Sequence, residues 1–515
     1  MGYLRRKTLE WLPGIALSAI LVSLAVRSGA FQADAWVFEG LCREIVAGTT
    51  EGRQALVGSG WHPPLPLLVG APAAFFAPHA ALPWAAVFTV FLAFAIALYA
   101  VWITLGRAFH PETAAADGPP PARLVRFSVP LARSSAWIAC AGLLWHLAGP
   151  ADPVRMVVVA TGVVSLCKLA DWWGSGRLSD LVKLAFAIAA LVLCGFATAG
   201  LAFALFLLMP LPVLWHPALR GRFQGVFVLG VLPGLYTLLV WCLMGWLILG
   251  DGFYALRGMG RCLSWNPSAP GLPAAVAAVL LLVAAIARRR DASLLALLAG
   301  IAVLALWAEV FRSAGLDHTL DPSPALGVVA AVLALARIAA RSSLRDGGAA
   351  PLRRTTLGGV VMLVFSTVML ATARLAFLAR CSPEIPPIDR SRVESAVLLE
   401  HVRTTVEAQT PYGRIFVCGY TAPGLLGGER PEPFTPCLDP FLGALRTDYT
   451  RQHIFLLMPR PRHAAAWESL YWRYPGIFER GAQRLLFARD FGDWRLYELV
   501  SAPGEDQLQE WRKGE

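Results

Sequence analysis

None of the nine cysteines stands in a Cys-x-x-Cys pair, so the chain offers no spacing for a structural zinc or a thioredoxin-like redox centre. The stretch after about 382 has no Gly-x-Ser-x-Gly, His-Glu-x-x-His or phosphate-binding P-loop, so no complete catalytic motif stands there. Charge is scarce: 15% of residues are Asp, Glu, Lys or Arg, against about 25% in soluble domains. There is no internal repeat, and the one biased patch is an Ala/Pro/Gly loop at 114–122.

What fills the chain is apolar. Of 515 residues 57% are hydrophobic and the mean hydropathy is +0.57, the composition of a polytopic membrane protein. The net charge of +11 would suit a nucleic-acid partner, but many Lys and Arg residues cluster at the ends of apolar runs, where positive charge sets membrane orientation. Nucleic acid is set aside on that ground. The basic amino terminus and apolar 12–26 begin like a signal peptide, yet no small-residue cleavage site precedes Asp34, so a retained first helix is expected.

A bilayer core of about 30 Å needs about 20 apolar residues per helix. Runs at 11–27, 82–105, 133–149, 153–170, 180–197, 199–215, 224–249, 272–287, 291–311, 323–340 and 356–379 meet or approach that length, which predicts eleven crossings. With the amino terminus inside, the basic loops 107–133, 220–222, 288–290 and 341–354 all fall in the cytoplasm. Counting the short, Pro-rich run 64–77 as a twelfth crossing would turn every later loop over, so that run is expected to be interfacial or half-inserted. The outer face then carries 28–63, 149–152, 250–271, 313–324 and everything after about 380.

From about 382 the composition becomes mixed and charged. The domain boundaries expected are a transmembrane part, 1–380, whose outer loop 28–63 holds the site, and an outer-face domain, 381–515. Within the latter, 391–406 and 464–474 read as helices, and 414–417, 453–458, 485–488 and 494–500 as strands, a small α/β fold. Cys418 and Cys437 lie there, where oxidation is permitted, and can be thiols or a disulfide.

The outer loops hold the chemistry-bearing residues. Asp34 precedes Trp36, Phe38, Leu41, Ile45 and Val46, an apolar face suited to the membrane surface, with Glu39, Arg43 and Glu44 on the wet side. Asp34 can equally serve as a helix N-terminal carboxylate. His62-Pro63-Pro64-Leu65 opens the next apolar run and fixes its angle with two prolines. Asp152 lies in a Gly149-Pro150-Ala151-Asp152-Pro153 turn, and its plain reading is a turn residue. Asp317, His318 and Asp321 precede a Pro-containing stretch, and Arg257 and Arg261 are cations on the outer face, where they suit a phosphate.

Taken in order, these residues resemble the GT-C polyprenyl-phosphate-sugar glycosyltransferases, in the branch of the protein O-mannosyltransferases and the aminoarabinose transferase of lipid A. The likeness rests on Asp34, on Phe38, Glu39 and Gly48, on the His62-Pro63-Pro64-Leu65 opening, on Ala151-Asp152-Pro153, on Phe196-Ala197-Thr198-Ala199-Gly200 in place of a Thr-Lys-Gly turn, and on 317–324. It covers roughly 10–380, and its specificity comes from order and topology because each motif is short. The resemblance implies a mainly α GT-C helix bundle. It also implies inverting transfer of a sugar from a polyprenyl-phosphate carrier to a glycan, lipid or protein acceptor, with membrane lipid as a further partner. Asp34 would be the base, His62 would orient the acceptor or phosphate, and Asp152 would hold polar partners. Glu39, Arg257, Arg261 and His318 would meet substrate and phosphate, and a divalent metal ion would assist.

The sequence departs from that pattern twice. Ala35 stands where the family often has a second acid, and Ala199 where it has a phosphate-contacting lysine. A non-catalytic GT-C relative acting in envelope assembly or lipid binding is therefore the alternative. A transporter or flippase would want ionisable residues within its spans. Lys168, Lys183 and Glu309 lie near helix ends, where snorkelling accounts for them. His146 is expected to be a packed, hydrogen-bonded histidine, and Trp172-Trp173 an interfacial anchor. The Ala, Arg and Leu bias suits a GC-rich bacterium, which would put the protein in the inner membrane with its outer domain in the periplasm.

Overall fold

A computed structural model describes residues 2–28, 31, 33–48, 50–57, 63–77, 82–109, 123–149, 152–214, 216, 219, 221–253, 295–304, 322, 325–327, 329–334, 336, 400–402, 404–406, 414–418, 434–437, 454–460, 477–480, 485–492 and 494–499. The helices are α1 (Gly2–Arg27), α2 (Ala33–Ala47), α3 (Thr50–Val57), α4 (Pro64–Phe76), α5 (Trp84–Phe109), α6 (Arg123–Ala148), α7 (Pro153–Ser175), α8 (Leu178–Val192), α9 (Phe196–Leu208) and α10 (Phe223–Leu249). Four stretches, Glu10–Arg27, Trp84–Ala108, Pro153–Ser175 and Phe223–Leu249, are long and apolar enough to cross a membrane. The length and composition of these helices make the chain a mainly helical membrane protein. Shorter helical stretches at Leu295–Leu304 and Ala325–Ala334 fall within two more of the expected spans, whereas 272–287 and 356–379 lie outside the described residues.

Contacts divide the chain into two units. The first comprises Met1–Ser28, Phe88–Leu243 and Phe253–Ser382, the second Gly29–Val87, Met244–Gly252 and Pro383–Glu515.

In the first unit, side chains tie neighbouring helices together at main-chain carbonyls. Trp11 of α1 stacks on Tyr99 of α5, ring centroids 3.7 Å apart. From α6, Trp137 Nε1 donates to the Leu98 carbonyl (2.9 Å) and Arg133 Nη2 to that of Trp102 (2.8 Å), with the Arg133 guanidinium 3.6 Å above the Trp102 ring. Helix α7 is buried along most of its length, and its small residues let neighbours approach: a Cβ at Gly162 would meet Leu326 Cδ1 at 2.6 Å. Helix α10 instead leaves Leu232, Tyr236, Leu239, Leu243 and Leu247 exposed, an apolar surface suited to lipid.

Helices α8 and α9 form a hairpin against α7. Gly195 takes a positive φ of 75°, and the Thr198 hydroxyl donates to the Leu191 carbonyl (2.6 Å), which breaks the apolar run into two arms. The arms have 15 and 13 residues, roughly 20 Å each at about 1.5 Å per residue. At the tip, Cys194 Sγ donates to Thr161 Oγ1 of α7 at 3.8 Å, about a third of the way along α7 from Pro153. At the other end, Trp172 Nε1 donates to the Met209 carbonyl (2.8 Å) and Trp173 Nε1 to that of Leu208 (3.2 Å), closing the C-terminus of α9. Both indoles are buried, so this pair is a helix cap inside the bundle and not the interfacial anchor expected.

The last turns of α7 also gather charge. Arg107 Nη1 lies 2.9 Å from Asp171 Oδ2 and 3.6 Å from Asp180 Oδ1, while Lys168 pairs with Asp171 (3.1 Å) and Lys183 with Asp180 (3.5 Å). Ser175 Oγ donates to Asp180 Oδ2 at 2.7 Å. The two lysines are thus held by carboxylates rather than merely snorkelling, and His146, expected to be packed, is exposed on α6.

In the second unit, five strands form one mixed sheet in the order β2-β1-β3-β5-β4: β1 (Arg414–Cys418), β2 (Phe434–Cys437), β3 (Ile454–Pro459), β4 (Leu485–Asp490) and β5 (Trp494–Leu499). The neighbours β2, β1 and β3 are parallel, and β5 pairs antiparallel with both β3 and β4. Phe455 to Met458 of β3 are buried without alternation, as a central strand covered on both faces requires. A helical turn, Ile477–Arg480, tucks Phe478 into this core, and its carbonyl accepts from Tyr497 Oη (2.6 Å) and from Arg495 Nη1. Four strands fall where the sequence predicts them. The fifth, β2, does not, because four residues containing Pro436 read as a loop; an edge strand tolerates that proline. The expected helix at 464–474 lies outside the described residues.

Candidate functional site

The segment that carries the first-loop motifs folds as a small helical cluster. Phe38, Leu41 and Cys42 of α2 are buried against α4, whose Gly70 allows the approach: a Cβ there would come within 2.6 Å of the Phe38 ring and 2.8 Å of Cys42 Sγ. Cys42 Sγ contacts the Leu67 carbonyl at 3.7 Å. Helix α3 folds back onto α2 through Gly52, where a Cβ would collide with the Glu44 carbonyl oxygen. Two prolines, Pro63 at the N-cap and Pro64 in the first turn, start α4 without needing the amide hydrogens they lack.

Asp34 lies in the first turn of α2, where free amides and the helix dipole favour a carboxylate. Glu39 stands one turn further on and does not lie on the wet face as expected: it is 1% exposed. Its Oε2 accepts from the Ala85 amide at 2.6 Å, and its Oε1 from Arg43 Nε at 3.1 Å. The reason lies at the start of α5. Pro83, whose carbonyl accepts the first helical bond from Val87, has no side-chain acceptor for the free amides that follow, and Glu39 supplies one from α2. Glu39 is therefore a helix cap, and both of its oxygens are engaged, which leaves it unsuited to the substrate-binding role expected from the sequence. Burial raises its pKa, opposed by the Ala85 amide and the Arg43 charge.

Arg43 of α2 is a half-buried cation of this cluster. Its Nε holds Glu39, while its Nη2 is buried without a hydrogen-bond partner among the described residues. The sequence places Arg43 beside Glu39 but does not mark it, because its free donor shows only once Glu39 turns inward.

Asp152 is the N-cap of α7: its Oδ1 accepts from the Arg155 amide at 3.0 Å, with Pro153 in the first helical turn. Burial raises its pKa against that hydrogen bond. The hydrogen bond accounts for Asp152 as the turn residue of its plain reading, and nothing in the described surroundings brings a second site residue to it. Ala35 is fully buried, so the second acid of the family pattern would here be placed in a packed core. Thr198, in the stretch compared with a Thr-Lys-Gly turn, is buried and tied to Leu191. His62, Arg257, Arg261 and His318 lie outside the described residues. Among the described residues no three His, Cys, Asp or Glu side chains converge to hold a metal ion. Neither a protein-family model nor a curated protein matches this sequence.

Proposed function

We propose that the protein is a membrane glycosyltransferase that moves a sugar from a polyprenyl-phosphate carrier to an acceptor at the outer face of the cytoplasmic membrane, with Asp34 as its base. The observation that carries the reading is the placement of Asp34 at the head of α2, in a folded outer-loop cluster whose buried Arg43 Nη2 has no hydrogen-bond partner among the described residues. Asp34 would take the proton from the acceptor hydroxyl as its oxygen attacks the anomeric carbon. The bond from that carbon to the phosphate oxygen breaks, and the phosphate leaves as an anion that a guanidinium neutralises.

The arrangement of α2, α4 and α5 supports the proposed topology. Helix α4 has 13 residues, roughly 20 Å, which is short for a crossing of about 30 Å. It lies along α2, and the start of α5 is bonded to α2 through Glu39, so the chain begins α5 beside the helix from which it set out. That agrees with a half-inserted α4 and cytoplasmic basic loops.

The test is transfer from a panel of radiolabelled polyprenyl-phosphate sugars by the full chain in membranes, wild type against Asp34→Asn. Product from one donor that disappears in the variant supports the reading. A second reading, a non-catalytic GT-C scaffold, is favoured by the fully buried Ala35; it expects no turnover with any donor and equal donor binding by both proteins.

A further inference from the structure

The sheet register brings together two cysteines that lie 19 positions apart in sequence (437 − 418). In the parallel pairing of β1 with β2, Cys418 and Cys437 are direct partners, the last pair of the ladder that begins at Ile415 and Phe434. Neighbouring strands stand about 4.8 Å apart, and direct partners share a face of the sheet. A disulfide requires a Cα separation of about 4.4–6.8 Å, so the register meets its first condition. Strand β2 is also the shortest member of the sheet: it is four residues long, contains Pro436, and pairs along one side as an edge. Helix α2, which carries Asp34, lies beside this same strand. The remaining described cysteines, Cys42, Cys140, Cys167, Cys194 and Cys242, are free thiols, four on helices and Cys194 in the α8–α9 turn.

We propose that Cys418 and Cys437 form a disulfide that fastens the edge strand β2 to β1. The proposal rests on the outer-face placement of residues after about 380 in the reading above, because the cytoplasm keeps such pairs reduced. The step is thiol–disulfide exchange with a dithiol-type protein oxidant of that compartment. One thiolate attacks the oxidant's disulfide to give a mixed disulfide, and the second thiolate displaces it. The chain's two sulfurs lose two electrons and two protons, and the oxidant leaves as a dithiol. The bond would hold β2 against β1 next to the helix that bears the proposed base.

The experiment is two-step alkylation of the full chain in native membranes. Free thiols are blocked under denaturing conditions, the sample is reduced, newly exposed thiols receive a second label, and peptides are mapped by mass spectrometry. Cys418 and Cys437 carrying only the second label, with the linked peptide seen before reduction, is the expected result. In Cys418→Ser, Cys437 should then take the first label; a Cys437 that stays protected is bonded elsewhere and overturns the pairing. First-step labelling of both residues in the wild type overturns the disulfide. A membrane-impermeant maleimide applied to intact cells carrying Glu400→Cys separates the two causes of failure, since Glu400 is exposed. Labelling from outside with free Cys418 and Cys437 rejects the disulfide alone, whereas no labelling from outside with both thiols free rejects the outer-face placement and the disulfide together.

Discussion

Two helices in this chain, α5 and α9, have an end that their own residues leave open, and in each case another helix closes it. At the start of α5 the free groups are amide donors, and Glu39 of α2 meets them with a carboxylate. At the end of α9 they are carbonyl acceptors, and α7 meets them with the indoles of Trp172 and Trp173. The first closure uses a charge that must be desolvated and then answered by Arg43. The second uses neutral donors that bring a large apolar surface with them. The lesson is that the two ends differ in what can disturb them: proton concentration reaches one, and packing decides the other.

Removing an indole should have the largest effect. Trp172→Ala opens a cavity and orphans the Met209 carbonyl, and should cost about 3–5 kcal/mol, read as a lower thermal midpoint in detergent. Trp172→Phe should lose less than half of that, since most of the volume remains. On the other side, Glu39→Ala leaves the Ala85 amide and Arg43 unpaired. Because Arg43 is 32% exposed, its share is discounted, and about 2 kcal/mol is expected. Glu39→Gln, which keeps one acceptor for Ala85, should fall between that and wild type. A Glu39→Ala protein as stable as wild type would mean that α5 starts without help from α2.

Acidity sharpens the contrast. The folded pKa of Glu39 is raised above its ordinary value, so the folded protein holds that proton more tightly than the unfolded chain. Its contribution is complete below the ordinary value and is lost as pH rises through the raised one. Wild-type stability should therefore decline across that window relative to Glu39→Gln, while Trp172→Phe keeps the wild-type slope. Parallel curves for wild type and Glu39→Gln would remove Glu39 as the sensitive group. The smallest effect belongs to Asp152, a cap supplied by its own chain. Asp152→Ala should cost about 1 kcal/mol, and Asp152→Asn, which caps equally well, should match wild type in stability and in the proposed sugar transfer. Loss of transfer in a stable Asp152→Asn would return that residue to the site.

Much of this was legible in the residues themselves. Apolar runs announce the helices, two prolines announce where α4 starts, and short β-type runs announce four of the five strands. What escaped depends on partners distant in sequence. Glu39 reads as a surface residue from helical spacing alone, and becomes a cap because Pro83, far along the chain, cannot perform that task for α5. The Trp172-Trp173 pair looks like a membrane-interface anchor until α9 ends beside it. Asp152 is the opposite case: its partner is three residues away, and the local turn chemistry was sufficient to identify it.

The α8–α9 hairpin has a bearing on how such a chain can change length. Because both of its arms end beside the same turns of α7, it leaves and returns at one level, and the orientation of α10 does not depend on how far the tip reaches. Residues could be added or removed in matched pairs around Gly195 without inverting anything downstream. The hairpin is thus a place where this layer of helices can be lengthened or shortened while the chain still returns to the same end of α7.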